Sequence, residues 1–473
     1  MIRSSTLAAK LKWNLFLARR LFHSNAVPSG DDYLAVKRLN RKLVALKYLL
    51  QDSAIYAMPR WIDFEVTHIC NLRCPHCQTH GTDEAHSKYN DRRFDLPKET
   101  VETLARETLP SADEFALAVS GEPLIWPHFA EFLHRVSGYH AKLDLVTNAT
   151  LFTRNRLAAL IPVAGRIQIS LDGATPLTVE SIRLGTKFEK LLYNIRLLTR
   201  TIELLPQDMR PKVSFASVIM ASNIRELPDL VRLSHRLSVP ELSAAFIVVF
   251  SDAIRNEAVE FHRPLYNAYF ERALGVAREL GVRVSLPPPF KGIKADTGGH
   301  LGEDHLIVKQ SARGHGEAYT SPAGILDSNT LEEEAARIAS TIMARKPELH
   351  AKPEALSVRS HVATLHRELD AGLAKHDLRL RELKGRPEEK VKYCYYLHKC
   401  TYVFPSGEVA PCCAVGRPIL GDVRSNSVRE IWNGKAYIEF RKRFFSDDPF
   451  DCCKGCVHLK HVELRVFLEE IFG

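Results

Sequence analysis

The run Thr67-His-Ile-Cys-Asn-Leu-Arg-Cys-Pro-His-Cys77 decides how this chain is read. Cys70, Cys74 and Cys77 follow a C-x3-C-x2-C spacing. Three thiolates that close together can hold three corners of a cubane iron–sulfur cluster and leave the fourth iron open to a small molecule. Electron-transfer clusters usually have four cysteine ligands, so a set of three points to chemistry at the open iron. The competing reading is a zinc knuckle or a group of buried thiols, since C-x2-C is a common zinc half-site.

Working outward, an alternation of strands and helices begins at Trp61. Apolar runs predict strands at Trp61–Val66, Glu114–Val119, Lys142–Thr147, Arg166–Leu171, Lys212–Met220 and Leu242–Phe250. Helical periodicity falls between them, at Pro97–Thr108, His128–Gly138, Arg154–Leu160, Phe188–Leu205 and Ile224–Leu237. Strand-then-helix repetition predicts an α/β fold with a parallel sheet and right-handed crossovers. A helix (Arg255–Leu280), a short strand (Val282–Leu286) and the breaker Pro287-Pro-Pro289 end this region.

Polar residues recur where these strands end. The second ends in Val119-Ser-Gly-Glu-Pro123, the third in Thr147-Asn-Ala149 and the fourth in Ile169-Ser-Leu-Asp-Gly173. Ser170 and Asp172 alternate with Ile169 and Leu171, so both point to one side. Singly, each has a bland reading as a turn; Asn148, for example, can simply close an Asx turn. The cysteine loop followed by this series resembles the radical S-adenosylmethionine (SAM) superfamily.

That resemblance implies a partial (β/α)6 TIM-like barrel, with functional residues at the C-terminal ends of the strands. It implies that Cys70, Cys74 and Cys77 hold a [4Fe–4S] cluster that binds SAM. Ser120, Gly121, Glu122 and Pro123 resemble the family's glycine-glycine-glutamate-proline motif, with Ser120 in place of the first glycine. There, backbone carbonyls and the Glu122 carboxylate would accept charge-assisted hydrogen bonds from the SAM ammonium. Asn148 would contact the ligand, Ser170 and Asp172 would lie near the ribose, and Arg183 of Ser181-Ile-Arg-Leu-Gly185 would pair with the SAM carboxylate. Ser222-Asn223, after the fifth strand, is a weaker family feature.

A second cysteine group lies far downstream: Cys394, Cys400, Cys412, Cys413, Cys452, Cys453 and Cys456. Pro405-Ser-Gly407 reads as a hairpin turn between two short strands. The group resembles the SPASM/twitch auxiliary-cluster domain, including Leu420–Val423 and Glu430–Trp432. Cys394, Cys412, Cys453 and Cys456 fit a single auxiliary [4Fe–4S] cluster, in which Cys413 or Cys452 could substitute for a neighbour. A four-cysteine zinc site is the alternative.

The remaining features set bounds. The chain has 473 residues, 45% of them hydrophobic, and a formal charge of +9. There is no basic stripe with interleaved aromatics, so nucleic acid is not an expected partner, and no run is long enough to span a bilayer. Clustered cysteines in so long a chain argue for metal in a reducing compartment. Residues 1–30 carry Arg3, Lys10, Lys12, Arg19 and Arg20 and no acid, as a frayed basic helix of a cytoplasmic protein or a mitochondrial transit peptide would. Five regions follow: this segment, an N-terminal helical region (31–58), the barrel (59–290), a glycine-rich and helical insertion (291–390) and a small cysteine-rich α+β domain (391–473). In the insertion Val358, Val362, Leu365, Leu369, Leu373, Leu380 and Leu383 form a seam for a neighbouring helix.

The expected function is reductive cleavage of SAM to a 5′-deoxyadenosyl radical and hydrogen abstraction from a substrate, with a reductase, flavodoxin or ferredoxin as electron donor. The shortness of residues 31–58 leans the substrate toward a small molecule or cofactor precursor; the alternative is a peptide or protein side chain. A different class, a non-enzymatic two-cluster electron carrier or zinc-stabilised scaffold, would lack the strand-end series.

Overall fold

The computed structural model describes residues 33–117, 120–296, 328–345, 358–375, 388–412, 414, 416–456 and 458–472. The basic segment 1–30, the glycines of 298–316, Leu380, Leu383 and Cys413 lie outside the described residues. Among those described, no helix is long and apolar enough to cross a membrane.

Alternation with a period of two builds the sheet. In β1 (Trp61–Phe64), Ile62 and Phe64 enter the hydrophobic core, so Trp61 and Asp63 point to the opposite face. β2 (Glu114–Ala116), β3 (Lys142–Thr147), β4 (Ala164–Ser170), β5 (Lys212–Ile219), β6 (Glu241–Phe246) and β7 (Arg283–Ser285) follow in chain order. Each pairs in parallel with the one before it. Parallel neighbours need a crossover, supplied by the helices Lys98–Thr108, Phe129–Val136, Arg154–Val163, Phe188–Glu203, Leu227–Arg236 and Arg263–Leu280. This is the expected α/β partial TIM-like barrel, with a seventh short strand on its edge.

Boundaries shift where the chain leaves the ladder. β1 stops at Phe64 and β2 at Ala116, short of the apolar runs that announce them. The helix expected from Arg255 begins at Arg263, with Pro264 in its first turn after two short 3-10 segments. Helices at Asp83–Tyr89 and Pro176–Ile182 were not anticipated; each starts on a threonine whose hydroxyl caps it.

The C-terminal hairpin does not stand apart from the barrel. β9 (Cys400–Val403) pairs in parallel with β1, from Trp61↔Cys400 to Phe64↔Val403. β10 (Glu408–Ala410) and β11 (Gly421–Asp422) extend it antiparallel, giving one ten-stranded sheet. Among the described residues, β8 (Lys390–Cys394) and β12 (Leu459–Glu463) form a separate two-stranded sheet.

The helix Tyr33–Leu49 lies in the core rather than on it, with Leu39, Leu43, Val44, Ala45 and Leu46 fully buried. The helix Val358–Lys375 packs along it and buries Val362, Leu365 and Leu369, as the seam requires. A second insertion helix, Asn329–Ala344, covers Arg154–Val163 and Phe188–Glu203 and is pinned by Arg154–Glu334 and Arg200–Glu332 ion pairs. Lys37 is buried, and its Nζ donates to Leu109 O at 2.7 Å and to Ala112 O, just beyond the C-terminal end of the helix Lys98–Thr108. Carbonyls are unpaired at such an end and favour a cation, although burial pushes the lysine down to about 7. Asp113, leading into β2, is held by Arg41 and Arg60.

Leu43→Ala would leave a cavity at the centre of this packing. It should cost about 2–5 kcal/mol, read as a lowered urea midpoint with an unchanged slope. An unchanged midpoint would show that the N-terminal helix is peripheral.

Candidate active site

The cysteine loop springs from the end of β1 and is held on three sides. Cys77 N donates to Cys74 O at 2.9 Å, and Gly81 N donates to Cys77 O at 2.7 Å. Arg73 N donates to Leu184 O at 3.0 Å, bringing the loop to the segment that carries Arg183. Gly121 packs so closely that an added Cβ would lie 2.5 Å from Thr67 O and 2.8 Å from Ile69 O. Those are backbone atoms, so a side chain at 121 must move the loop.

Buried acids tie three of the strand ends to a neighbour. Glu65 accepts from Ser120 N at 2.8 Å, joining the ends of β1 and β2. Glu122 accepts from Asn148 N at 2.8 Å, Thr147 Oγ1 at 2.7 Å and Leu124 N at 3.3 Å, joining β2 to β3. Pro123 follows as the first residue of a short 3-10 turn that Glu122 caps. Burial raises the Glu122 pKa, with those three donors working against the rise. Asp172, fully buried, accepts from Val218 N at 2.7 Å, joining β4 to β5. Ser170 is partly exposed at the end of β4.

Asn148 closes its Asx turn by accepting from Thr150 N at 3.0 Å. Its amide Nδ2 also donates to Asn71 Oδ1 at 3.0 Å and lies 3.9 Å from Cys70 Sγ. The turn puts Ala149 at φ +57, a conformation in which glycine is more at ease.

Arg183 and Asp172 are brought together: Arg183 Nη2 lies 2.7 Å from Asp172 Oδ2, near enough for an ion pair though not aligned as a hydrogen bond. His76 Nε2 lies 3.4 Å from the same oxygen. Burial works against the charge on Arg183, but Asp172 and then Cys74 outweigh it and the net shift is upward. Burial pushes His76 down. The sequence reading passed over His76, Glu65 and Asp63. The signal for the two acids was their alternation with Ile62 and Phe64.

Burial also pushes the thiols of Cys70 and Cys74 up, to about 11 and about 12. They would ionise in the presence of a bound cation, which metal ligation requires. Asn223 links the fourth and fifth strand ends, with Nδ2 donating to Asp172 O and Val218 O at 2.8 Å each.

The second cysteine group surrounds a cavity of ≈ 170 Å³ lined by Cys394, Cys412, Cys452, Cys453 and Cys456, with Tyr396, Phe440 and Phe444 among the apolar walls. Cys452 thus joins the four expected residues. Cys400 lies elsewhere, buried on β9. Tyr48 fixes this site to the N-terminal helix: its hydroxyl accepts from Cys394 N at 2.8 Å and donates to Lys392 O at 3.2 Å. Among the described residues, no three His, Cys, Asp or Glu side chains converge on a single ion position. Soft thiols spread round an apolar cavity fit an iron–sulfur group, which would supply one-electron chemistry there.

Two family models match the chain. The radical SAM superfamily covers residues 64–205, and an iron–sulfur cluster-binding SPASM domain covers residues 394–457. The chain thus carries a radical SAM superfamily domain and a C-terminal iron–sulfur cluster-binding SPASM domain. It is 24% identical over 205 residues to the PqqA peptide cyclase of Bradyrhizobium diazoefficiens, covering 43% of this chain and 50% of that protein. It is 27% identical over 182 residues to the mycofactocin maturase MftC of Mycobacterium tuberculosis, covering 38% and 42%. The chain thus spans about half the length of the curated relatives it matches. Streptococcus suis SuiB bound to S-adenosylmethionine superposes with a TM-score of 0.46 at 11% identity, over 81% of this chain and 68% of that one.

Two substitutions test this geometry. Gly121→Ala should displace the cysteine loop and lower the iron bound by Cys70, Cys74 and Cys77, while iron at the C-terminal set is retained; full iron content would show that the close approach is not needed. Asp172→Ala leaves Arg183 as an uncompensated buried charge and should cost about 3–5 kcal/mol. A wild-type urea midpoint would exclude that structural role.

Proposed function

We propose that this chain is a radical SAM maturase acting on a side chain of a peptide or protein. The observation that carries the reading is the pairing of a radical SAM domain and a SPASM domain in a chain whose relatives include a peptide cyclase and a maturase. This favours the peptide alternative over the small-molecule expectation. The shortness of residues 31–58 has no weight against it, because the helix Tyr33–Leu49 is part of the core.

In this reading Cys70, Cys74 and Cys77 hold the cluster that binds SAM. Glu122 acts chiefly by fixing strand ends, since donors of the chain engage both of its oxygens; Asp172 does so through Oδ1, while its Oδ2 faces Arg183 and His76. Backbone carbonyls of Ser120–Pro123 take the ammonium, Ser170 and Asn148 face the nucleoside side, and Arg183 is a cation near Cys70 and Cys74 for the SAM carboxylate. Cys394, Cys412, Cys453 and Cys456, with Cys452 beside them, hold the auxiliary cluster. A reductase, flavodoxin or ferredoxin supplies electrons.

Anaerobic reconstitution with iron and sulfide should give a brown protein that forms 5′-deoxyadenosine from SAM when reduced with dithionite. Replacing Cys70, Cys74 and Cys77 by alanine should abolish that product yet leave iron in the C-terminal set. Replacing Cys394, Cys412, Cys453 and Cys456 should remove about half the iron, as expected for one of two cubane clusters. Stoichiometric zinc without iron would end the reading.

A further inference from the structure

The inner face of the sheet is polar, and several of its charges are matched. Arg166 on β4 grips Asp144 on β3 through Nε at 2.8 Å and Nη2 at 2.7 Å. Glu65 is taken by Ser120 N, with His68 Nε2 3.5 Å away. On β6 and β7, Glu241 pairs with Arg283. Asp63, in the middle of β1, has no hydrogen-bond or ion-pair partner among the described residues. It is only 4% exposed, and its shielded Oδ1 accepts nothing.

Its surroundings define what would satisfy it. In register beside Asp63 lie Tyr402 of β9 and Ala116 of β2. Ala116 is the only β2 residue in register between Asp63 and the Asp144 strand, and its side chain is a single methyl group. Trp61, two residues earlier on the same face, packs against Tyr395, Tyr396 and Tyr402. The face is open higher up, where Val146 of β3 is 43% exposed. An unpaired buried carboxyl is costly; an arrangement that breaks the satisfaction rule without compensation is typical of a functional position. Carboxyls beside an aromatic wall favour a cation, by charge and by attraction to the ring faces.

We infer that Asp63 is the substrate-recognising group of the barrel, taking an ammonium or guanidinium group of the substrate against the Trp61–Tyr402 wall. The inference rests on reading the barrel as the substrate chamber, and it names the class of side chain the chamber selects. Burial, then Glu65 and Asp144, push the carboxyl well above the usual range in the absence of a ligand. An arriving cation would draw it back toward the ionised form.

The test uses the full chain and two side-chain analogues, n-butylammonium chloride and n-propylguanidinium chloride, with sodium chloride at matched ionic strength as the control. Thermal unfolding should show a saturable rise in Tm for the wild type with either organic cation and none for Asp63→Asn. Asp63→Ala provides the same reading if the asparagine variant folds poorly. An equal rise in wild type and variants, or no rise in the wild type, overturns the proposal. Because this readout needs no SAM, it is separable from the 5′-deoxyadenosine assay: failure of that assay sinks the radical SAM reading and leaves the cation result to stand or fall by itself.

Discussion

Backbone N–H groups lose their partners where a parallel ladder stops, and the fold answers this at four strand ends with a buried acid. Glu65 takes Ser120 N, Glu122 takes Asn148 N, Asp172 takes Val218 N and Glu257 takes Ser222 N. A buried N–H without a partner is costly, and a carboxylate acceptor makes a stronger bond than a neutral one. The carboxylates are stabilised in turn by these donors and, at Asp172, by Arg183. The cysteine loop sits on this stitched rim, so its position follows from the strand ends rather than from the loop's own sequence.

That arrangement explains which parts of the molecule were legible in the sequence. Apolar runs at Trp61–Val66 and Arg166–Leu171 announced the strands, and the order of strands and helices announced the parallel topology. The cysteine spacing marked both cysteine groups. What the residues could not reveal is the object each strand-end polar group faces. Glu122 and Asp172 have the same alternation whether they point at a ligand ammonium or at a neighbouring strand's N–H. Only the packed structure shows Thr147, Asn148 and Leu124 gathered on one carboxylate.

Long-range pairing was equally invisible. The hairpin about Pro405–Gly407 was written in its turn residues, but its attachment to β1 depends on surface complementarity between segments far apart in the chain. Likewise, the seam of Val362, Leu365 and Leu369 announced a partner helix without naming Tyr33–Leu49. Cys452 and Cys453 could not be distinguished by spacing, and the structure places both on the same cavity.

β1 emerges as the element shared by the two cysteine groups and Asp63. Its C-terminal end launches the loop bearing Cys70, Cys74 and Cys77, and its inner face carries Asp63. Its outer edge pairs with β9, which follows Cys394 and Tyr396 in the chain. Trp61 packs on Tyr396, and Tyr396 lines the five-cysteine cavity. A strand fixed by parallel ladders on both sides has little freedom to slide, because a one-residue slip would turn Ile62 and Phe64 out of the core. The distance and orientation between the two cysteine sites are therefore set by register. A substrate held at Asp63 would be positioned against both sites by the same short strand.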